Sequence, residues 1–198
     1  TSCLVVSNSS GVTISNCFFY CSKNTFGVFF SGPNVPPQSP TLNAYYTGAL
    51  DGGNSFTNNV IYSNWNGDGV SWSLQKGGRF TGNIIRGTRL AVYMCKDCTI
   101  TDNKLFDSAS EGMYISLPSE RLDILYNSIY DCKNSSVKIS NQLEHGSFAP
   151  VKSYINFANN VTNFSGLYAF ELNNADTITI SNNIMQDTNS YSIYILYC

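Results

Sequence analysis

The chain has 198 residues, of which 42% are hydrophobic and 12% charged, and its formal net charge at pH 7 is −2. This length and apolar content fill one sizeable core, and no charged or Pro/Gly-rich linker divides the chain, so residues 1–198 are expected to form a single domain. The weak negative charge excludes a phosphate-binding stripe and therefore nucleic acid as a partner, and the apolar runs are too short for membrane insertion, which needs roughly 20 residues.

Short apolar segments that run into an asparagine recur along the chain. In chain order they start at Val12, Ser55, Arg79, Thr99, Leu122, Ile155 and Thr177, and they lead into Asn16, Asn59, Asn83, Asn103, Asn127, Asn160 and Asn183. Each is predicted to be a strand, because β-branched and aromatic residues dominate. The asparagines lie about 20 to 24 residues apart, with longer steps at the insertions 31–49 and 141–151, and this period is typical of a β-solenoid.

A second strand follows each asparagine by about nine residues. The second strands start near Phe26, Asp68, Arg89, Glu111, Ser135, Leu167 and Tyr191. Met113 and Ile115 flank Tyr114, and this alternation gives each strand one inward and one outward face. Trp72 and Tyr93 share the inward register and are predicted to lie in the core. The fold class is therefore predicted to be all-β, a right-handed single-stranded parallel β-helix of seven or so coils, about 35 Å long and almost without helix.

The recurring asparagines have a structural explanation. Asparagine tolerates a left-handed backbone at a bend, and its amide can bond the equivalent amide on the next coil. We therefore predict an asparagine ladder through Asn59, Asn83, Asn103 and Asn127, and this interpretation is favoured over a ligand-binding one.

The repeat resembles the pectin-lyase-like superfamily of right-handed β-helices over almost the whole chain. Within that superfamily, the Asn/Ser/Tyr-rich composition, the few charges and the apparently free cysteines look like the β-helix of a bacteriophage tailspike. This resemblance implies a homotrimeric depolymerase of capsule or O-antigen polysaccharide, extracellular or virion-associated. The polygalacturonase pattern is matched only by Asn66-Gly-Asp68-Gly69 and Glu144-His145-Gly146, without the adjacent Asp pair, and the pectate-lyase calcium cluster is missing.

Three charged residues, Asp68, Arg89 and Glu111, stand at the start of three consecutive second strands. If they share one position on stacked coils, the two carboxylate residues have Cα atoms about 9.6 Å apart. Inverting glycosidases hold acid and base about 6.5 to 9.5 Å apart around a water, so Asp68 and Glu111 are candidate acid and base, with Arg89 setting their charges. The alternative is a charge ladder that only joins adjacent coils.

Aromatic residues are concentrated around the same coils, and sugar rings stack on such side chains. Trp65, in a turn, is a candidate sugar platform or a loop-packing residue. Tyr45, Tyr46, Tyr114 and Lys138 are further substrate-binding candidates, and Tyr114 and Lys138 are expected on the outward face of successive coils.

The seven cysteines are an odd number, so at least one thiol is unpaired or bonded between chains, and buried free thiols are expected. Cys95-Lys-Asp-Cys98 is half of a zinc site whose other half is missing, because His145 is the one histidine. No metal and no cofactor are therefore expected.

Two classes of function remain open. The first is a polysaccharide hydrolase or lyase, and hydrolysis is favoured because few Lys or Arg accompany the aromatic residues to neutralise a uronate. The second is a non-catalytic glycan-binding or structural module. A short solenoid also leaves both ends unpaired, so association is expected, as a parallel trimer if the tailspike resemblance holds. Because the sequence begins at Thr1 without a Met or a leader, a mature form or a piece of a longer chain is expected.

Overall fold

The computed structural model describes residues 2–21, 27–32, 50–65, 67–116, 118–140 and 152–196. The strands follow one another in coils of three, with a short extra strand in two of the coils. The first coil holds β1 (Leu4–Ser7), β2 (Thr13–Ser15) and β3 (Phe18–Cys21); the second holds β4 (Val28–Ser31), β5 (Asp51–Gly52), β6 (Ser55–Thr57) and β7 (Val60–Ser63); the third holds β8 (Val70–Ser73), β9 (Gln75–Lys76), β10 (Arg79–Thr81) and β11 (Ile84–Arg86).

The remaining coils repeat this pattern. The fourth holds β12 (Leu90–Tyr93), β13 (Thr99–Thr101) and β14 (Lys104–Phe106); the fifth holds β15 (Met113–Ser116), β16 (Leu122–Leu125) and β17 (Ser128–Cys132); the sixth holds β18 (Val137–Ser140), β19 (Lys152–Ala158) and β20 (Val161–Ser165); the seventh holds β21 (Phe170–Asn173), β22 (Asp176–Ser181) and β23 (Ile184–Thr188), and β24 (Ile193–Leu196) begins another coil.

Corresponding strands of successive coils pair in parallel and form three long sheets. The first sheet runs β1-β4-β8-β12-β15-β18-β21-β24, the second β2-β6-β10-β13-β16-β19-β22, and the third β3-β7-β11-β14-β17-β20-β23. The described part of the chain contains no helix, and hence none long and apolar enough to cross a membrane. The predicted all-β parallel β-helix is confirmed, with seven complete coils.

The interior of the solenoid is a stack of equivalent apolar side chains. Phe56 pairs in register with Phe80, and their rings stack with centroids 5.3 Å apart. Trp72 is fully buried in the same core, as predicted, and its ring centroid lies 4.5 Å from that of Phe30 on the preceding coil. Since every coil places an apolar residue at the same inward position, burial is continuous along the axis.

The predicted asparagine ladder is present and longer than expected. The backbone N–H and the Nδ2 of Asn59 both donate to Oδ1 of Asn83, and the same pair of bonds joins Asn83 to Asn103. It continues through Asn127 and Asn160 to Asn183. These amides satisfy buried backbone groups at each bend, which accounts for their recurrence.

The predicted left-handed backbone at the ladder asparagines is wrong, and so is the alignment of Asn16 with them in the repeat. The left-handed residue is the one before each ladder asparagine, such as Asn58 (φ 55°) before Asn59 and Asp102 (φ 57°) before Asn103. In the first coil, Asn16 takes this left-handed position, and Cys17 stands where the ladder begins, its N–H donating to Oδ1 of Asn59. At the ladder position itself, asparagine is therefore selected for its amide and not for its backbone freedom.

The register of the first sheet also corrects the expected position of Tyr93. Val70 pairs with Leu90 and Trp72 with Val92, so Tyr93 lies beside Ser73 on the outward face. The prediction that Tyr93 belongs to the core is therefore wrong. A slip of one residue exchanges the two faces of a strand, and aligning Asp68 with Arg89 introduced that slip.

Two apolar side chains are exposed at the C-terminal end of the described residues. Ile193 and Ile195 pair in register with the buried Phe170 and Leu172, yet they are 39% and 58% exposed. These side chains occupy inward positions in the register and form an apolar surface at this end of the described residues.

Candidate functional site

The charged cluster lies where the chain enters the strands of the first sheet. Asp68 and Glu111 each stand two residues before a strand, ahead of Val70 and Met113. Arg89 stands one residue before Leu90, whose N–H donates to the carbonyl of Gly112. Arg89 therefore does not share the position of the two carboxylates, contrary to the prediction, but its long side chain still lies between them.

The guanidinium of Arg89 binds both carboxylates. Its Nε donates to Asp68 Oδ1 at 2.5 Å, and its Nη1 donates to Glu111 Oε2 at 2.6 Å. The side chains of Asp68, Arg89 and Glu111 are 15%, 18% and 10% exposed. The predicted grouping of these three residues is thus present in the structure, as a mostly buried chain of ion pairs open to solvent at its edge.

Two hydroxyl groups complete the coordination of the carboxylates. Tyr93 donates its phenolic O–H to Asp68 Oδ2 at 2.5 Å, and Ser110 donates to Glu111 Oε2 at 2.5 Å. Tyr93 was assigned to the core from sequence, so its part in this cluster was missed. No sequence signal gives this position, because the pairing of Leu90 with Val70, which puts every second residue from Ala91 outward, is seen only in the structure.

The surroundings lower the pKa of Glu111 and raise the pKa values of Tyr93 and Arg89. Burial alone would raise the pKa of Glu111, but hydrogen bonds from Ser110 and Arg89 and the Arg89 charge lower it below its usual value. Burial and the neighbouring Asp68 raise the pKa of Tyr93, so its phenol stays a donor. Burial would lower the pKa of Arg89, yet its carboxylate partners raise it, so the guanidinium keeps its charge.

The ring of Tyr114 packs against the charged cluster. Its ring lies 4.8 Å from the guanidinium carbon of Arg89 and 5.9 Å, between centroids, from the ring of Tyr93. Tyr114 is 2% exposed and faces outward, next to Lys138 in the register. It therefore supports the ion pairs through a cation–π contact, and its burial leaves little ring surface for a sugar.

A second ion pair lies further along the outward face of the first sheet. Lys138 Nζ lies 2.8 Å from Glu171 Oε1, and Ser135 and Asn173 donate to the two oxygens of the same carboxylate. Lys138 was a predicted substrate-binding residue, whereas Glu171 was not singled out. Glu171 could have been found from the repeat, because it occupies the position of Lys138 one coil later.

Trp65 lies close to the charged cluster. An added Cβ on Gly67 would come within 2.8 Å of the indole, so the ring packs against this glycine, one residue before Asp68. The side chain is partly exposed. The position suits a sugar platform beside the carboxylates, as well as simple packing on the loop.

Several predicted residues lie outside the described residues. These are the substrate-binding candidates Tyr45 and Tyr46, and Glu144 and His145 of the second insertion. Asp68, Arg89, Glu111, Tyr114 and Lys138 are brought together on one sheet. Within the described ranges, no three His, Cys, Asp or Glu side chains are arranged to hold a metal ion.

Comparison with known proteins gives a family. A family model described as right handed beta helix region matches residues 2–148 of the chain. No curated protein and no solved structure matches the chain significantly. This family is found in proteins that bind or degrade polysaccharides.

Proposed function

Because the chain belongs to the right-handed β-helix family, we propose that it binds and degrades a polysaccharide at the outward edge of its first sheet. The observation that carries the proposal is the convergence of Asp68 and Glu111 from different coils on one guanidinium, beside Trp65. Hydrolysis of a glycosidic bond requires two carboxyl groups with different surroundings, and an accessible indole beside them can hold the sugar ring.

The surroundings suggest different roles for the two carboxylates. Glu111 has a lowered pKa, so its carboxylate is ionised at neutral pH, as a general base must be. Asp68 is then the acid. Arg89 occupies the space between them, so a water can enter only when the guanidinium swings away from one carboxylate. Activity therefore depends on opening an ion pair.

The charge of this face favours an uncharged glycan. This face has three carboxylates and two cations, namely Asp68, Glu111 and Glu171 against Arg89 and Lys138. Both cations form ion pairs with these carboxylates. The insertions 33–49 and 141–151 contain neither Lys nor Arg. A uronate would meet excess negative charge here, whereas the hydroxyl groups of a neutral sugar could donate to the carboxylates.

The tailspike resemblance adds a more specific form of the proposal. In that form the chain is part of a homotrimer, outside the cell or on a virion, and acts on a bacterial surface glycan. The exposed side chains of Ile193 and Ile195 support association, because exposed apolar surface and strand edges favour it.

A non-catalytic glycan-binding role is the second candidate. It is favoured by the saturation of the ion pairs, because every carboxylate of the cluster already has two partners. In this case Arg89 and its partners only hold three coils in register, and Trp65 alone carries the glycan contact.

Incubation with a panel of bacterial surface polysaccharides, followed by mass spectrometry of released oligosaccharides, separates the two candidates. On a glycan that the parent cuts, Asp68→Asn and Glu111→Gln should lower turnover by about 10² to 10⁴ while binding survives. Asp107→Asn is the matched control, since it alters an exposed Arg–Asp pair on the third sheet.

Trp65→Ala should weaken glycan affinity by about 1 to 2 kcal/mol, and Tyr20→Ala, which removes a 62% exposed ring on the third sheet, should not. Binding without any released product would favour the second candidate. Parental turnover in both amide variants would place the catalytic residues elsewhere.

A further inference from the structure

The first coil brings two cysteines into unusually close contact. The Sγ atoms of Cys3 and Cys21 are 2.9 Å apart. A disulfide bond is about 2.05 Å long. Nonbonded carbon atoms are favourably placed about 3.5 to 4.0 Å apart. Sulfur is larger than carbon, so 2.9 Å between two nonbonded sulfur atoms is an unfavourably short contact. The pair is therefore already placed for a covalent bond.

The surroundings hold the two thiols in this position. Cys21 ends β3 and is 1% exposed. An added Cβ on Gly27 would lie 2.7 Å from its sulfur, so this glycine makes room for it. Cys3 stands just before β1, and its N–H donates to the carbonyl of Gly27 on the next coil. Both backbones are thus fixed by the neighbouring coil.

We propose that Cys3 and Cys21 are a modification site at which a small-molecule disulfide, such as oxidised glutathione, produces an intramolecular disulfide that closes the first coil. This bond would join the segment before β1 to the end of β3 across the gap between the third and first sheets.

The two thiols have different parts in the reaction. Cys3 is exposed, so its thiolate attacks the glutathione disulfide and one glutathione leaves. The Cys21 thiolate then attacks Cys3 in this mixed disulfide and releases the second glutathione. The protein loses two protons and two electrons, which end on two molecules of glutathione. Burial, with help from Cys3, raises the pKa of Cys21 to about 12, so the buried Cys21 is not the thiol that attacks first.

The test compares the parent, Cys3→Ser and Cys17→Ser after equilibration with oxidised glutathione. Cys17 is the matched control, since it is an exposed thiol on the same coil. Parent and Cys17→Ser should each become about 2 Da lighter and lose two thiols to titration, while Cys3→Ser should not. Cleavage after Phe18, Phe19 or Tyr20 separates Cys21 from a peptide that carries both Cys3 and Cys17, so a linked peptide that still forms in Cys17→Ser identifies Cys3 as the partner.

Hydrogen exchange provides a second measurement that does not depend on any variant. Reduction of the oxidised parent should lower protection of amides in β1 and β3 by about tenfold or more, and leave β13 unchanged. The proposal is overturned if the oxidised parent keeps all its thiols, if Cys21 is linked to Cys17, if only a glutathione adduct forms, or if the oxidised first coil exchanges as fast as the reduced one.

Discussion

Arg89 shows how a residue can be correctly grouped from sequence and still be misplaced. Arg89 lies one residue closer to its strand than Asp68 and Glu111 do, and it is therefore beside glycines of the adjacent coils. Its side chain is long enough for the guanidinium to bind both carboxylates. Gly112 is needed there, because a Cβ would lie 2.3 Å from Cγ2 of Ile129. The coil beside Arg89 is therefore packed too closely at Gly112 to leave room for a Cβ.

The lowered pKa of Glu111 predicts acid sensitivity. Since the folded-state pKa lies below the ordinary 4.5, the carboxylate stabilises the fold above about pH 4.5, and this contribution is lost as the pH falls through the folded-state value. Urea unfolding of Glu111→Gln should show a lower midpoint than the parent at pH 6, and a smaller decline between pH 6 and pH 3. Parallel declines in the two proteins would contradict this assignment.

At the scale of the strands and bends, the sequence was most informative where one residue type recurs in one role. The asparagine steps predicted the coils correctly, because each ladder amide must meet the same backbone groups. The faces of individual strands were less secure. Arg89 lies one residue before β12, whereas Asp68 and Glu111 lie two residues before their strands. Nothing in the sequence marks this difference, so an alignment of the charged residues shifts β12 by one residue.

The ladder predicts a large cost for losing one interior amide. Asn103 accepts from the N–H and Nδ2 of Asn83 and donates to the carbonyl of Phe80 and to Asn127. Asn103→Ala leaves these buried groups without partners and should lower the free energy of unfolding by about 2 to 4 kcal/mol.

Denaturant unfolding checks this value against Asn156→Ala. Asn156 has the same amide, but on the surface, with one bond of 3.3 Å to Asp123. Its loss should cost less than about 0.5 kcal/mol. Equal effects of the two substitutions would show that the ladder does not stabilise the bends.

For the molecule as a whole, the repeat pattern was enough to predict the fold, whereas the surface around the candidate site was not predictable. Tyr114 was expected to offer its ring to a sugar, yet it is buried although it faces outward. Strand alternation reports which side of the sheet a residue occupies, and it contains no information on what covers that side.

The exposed apolar end predicts association in solution. Sedimentation at micromolar concentration should show an assembly larger than a monomer, and a parallel trimer if the tailspike resemblance holds. Ile195→Lys places a charge on the open end and should block end-to-end contacts while leaving a side-by-side trimer intact. A stable monomer of the parent would contradict both forms of association.

The step from Asn127 to Asn160 bears on how such a chain can change over generations. Here 33 residues separate two ladder asparagines, against 20 between Asn83 and Asn103, yet the bonds between the amides are the same. A bend therefore accepts added sequence without disturbing the coils on either side. Loops at the bends can therefore lengthen, shrink or be exchanged while the stacked coils keep their structure. Such changes can alter which ligand the surface binds without changing the fold.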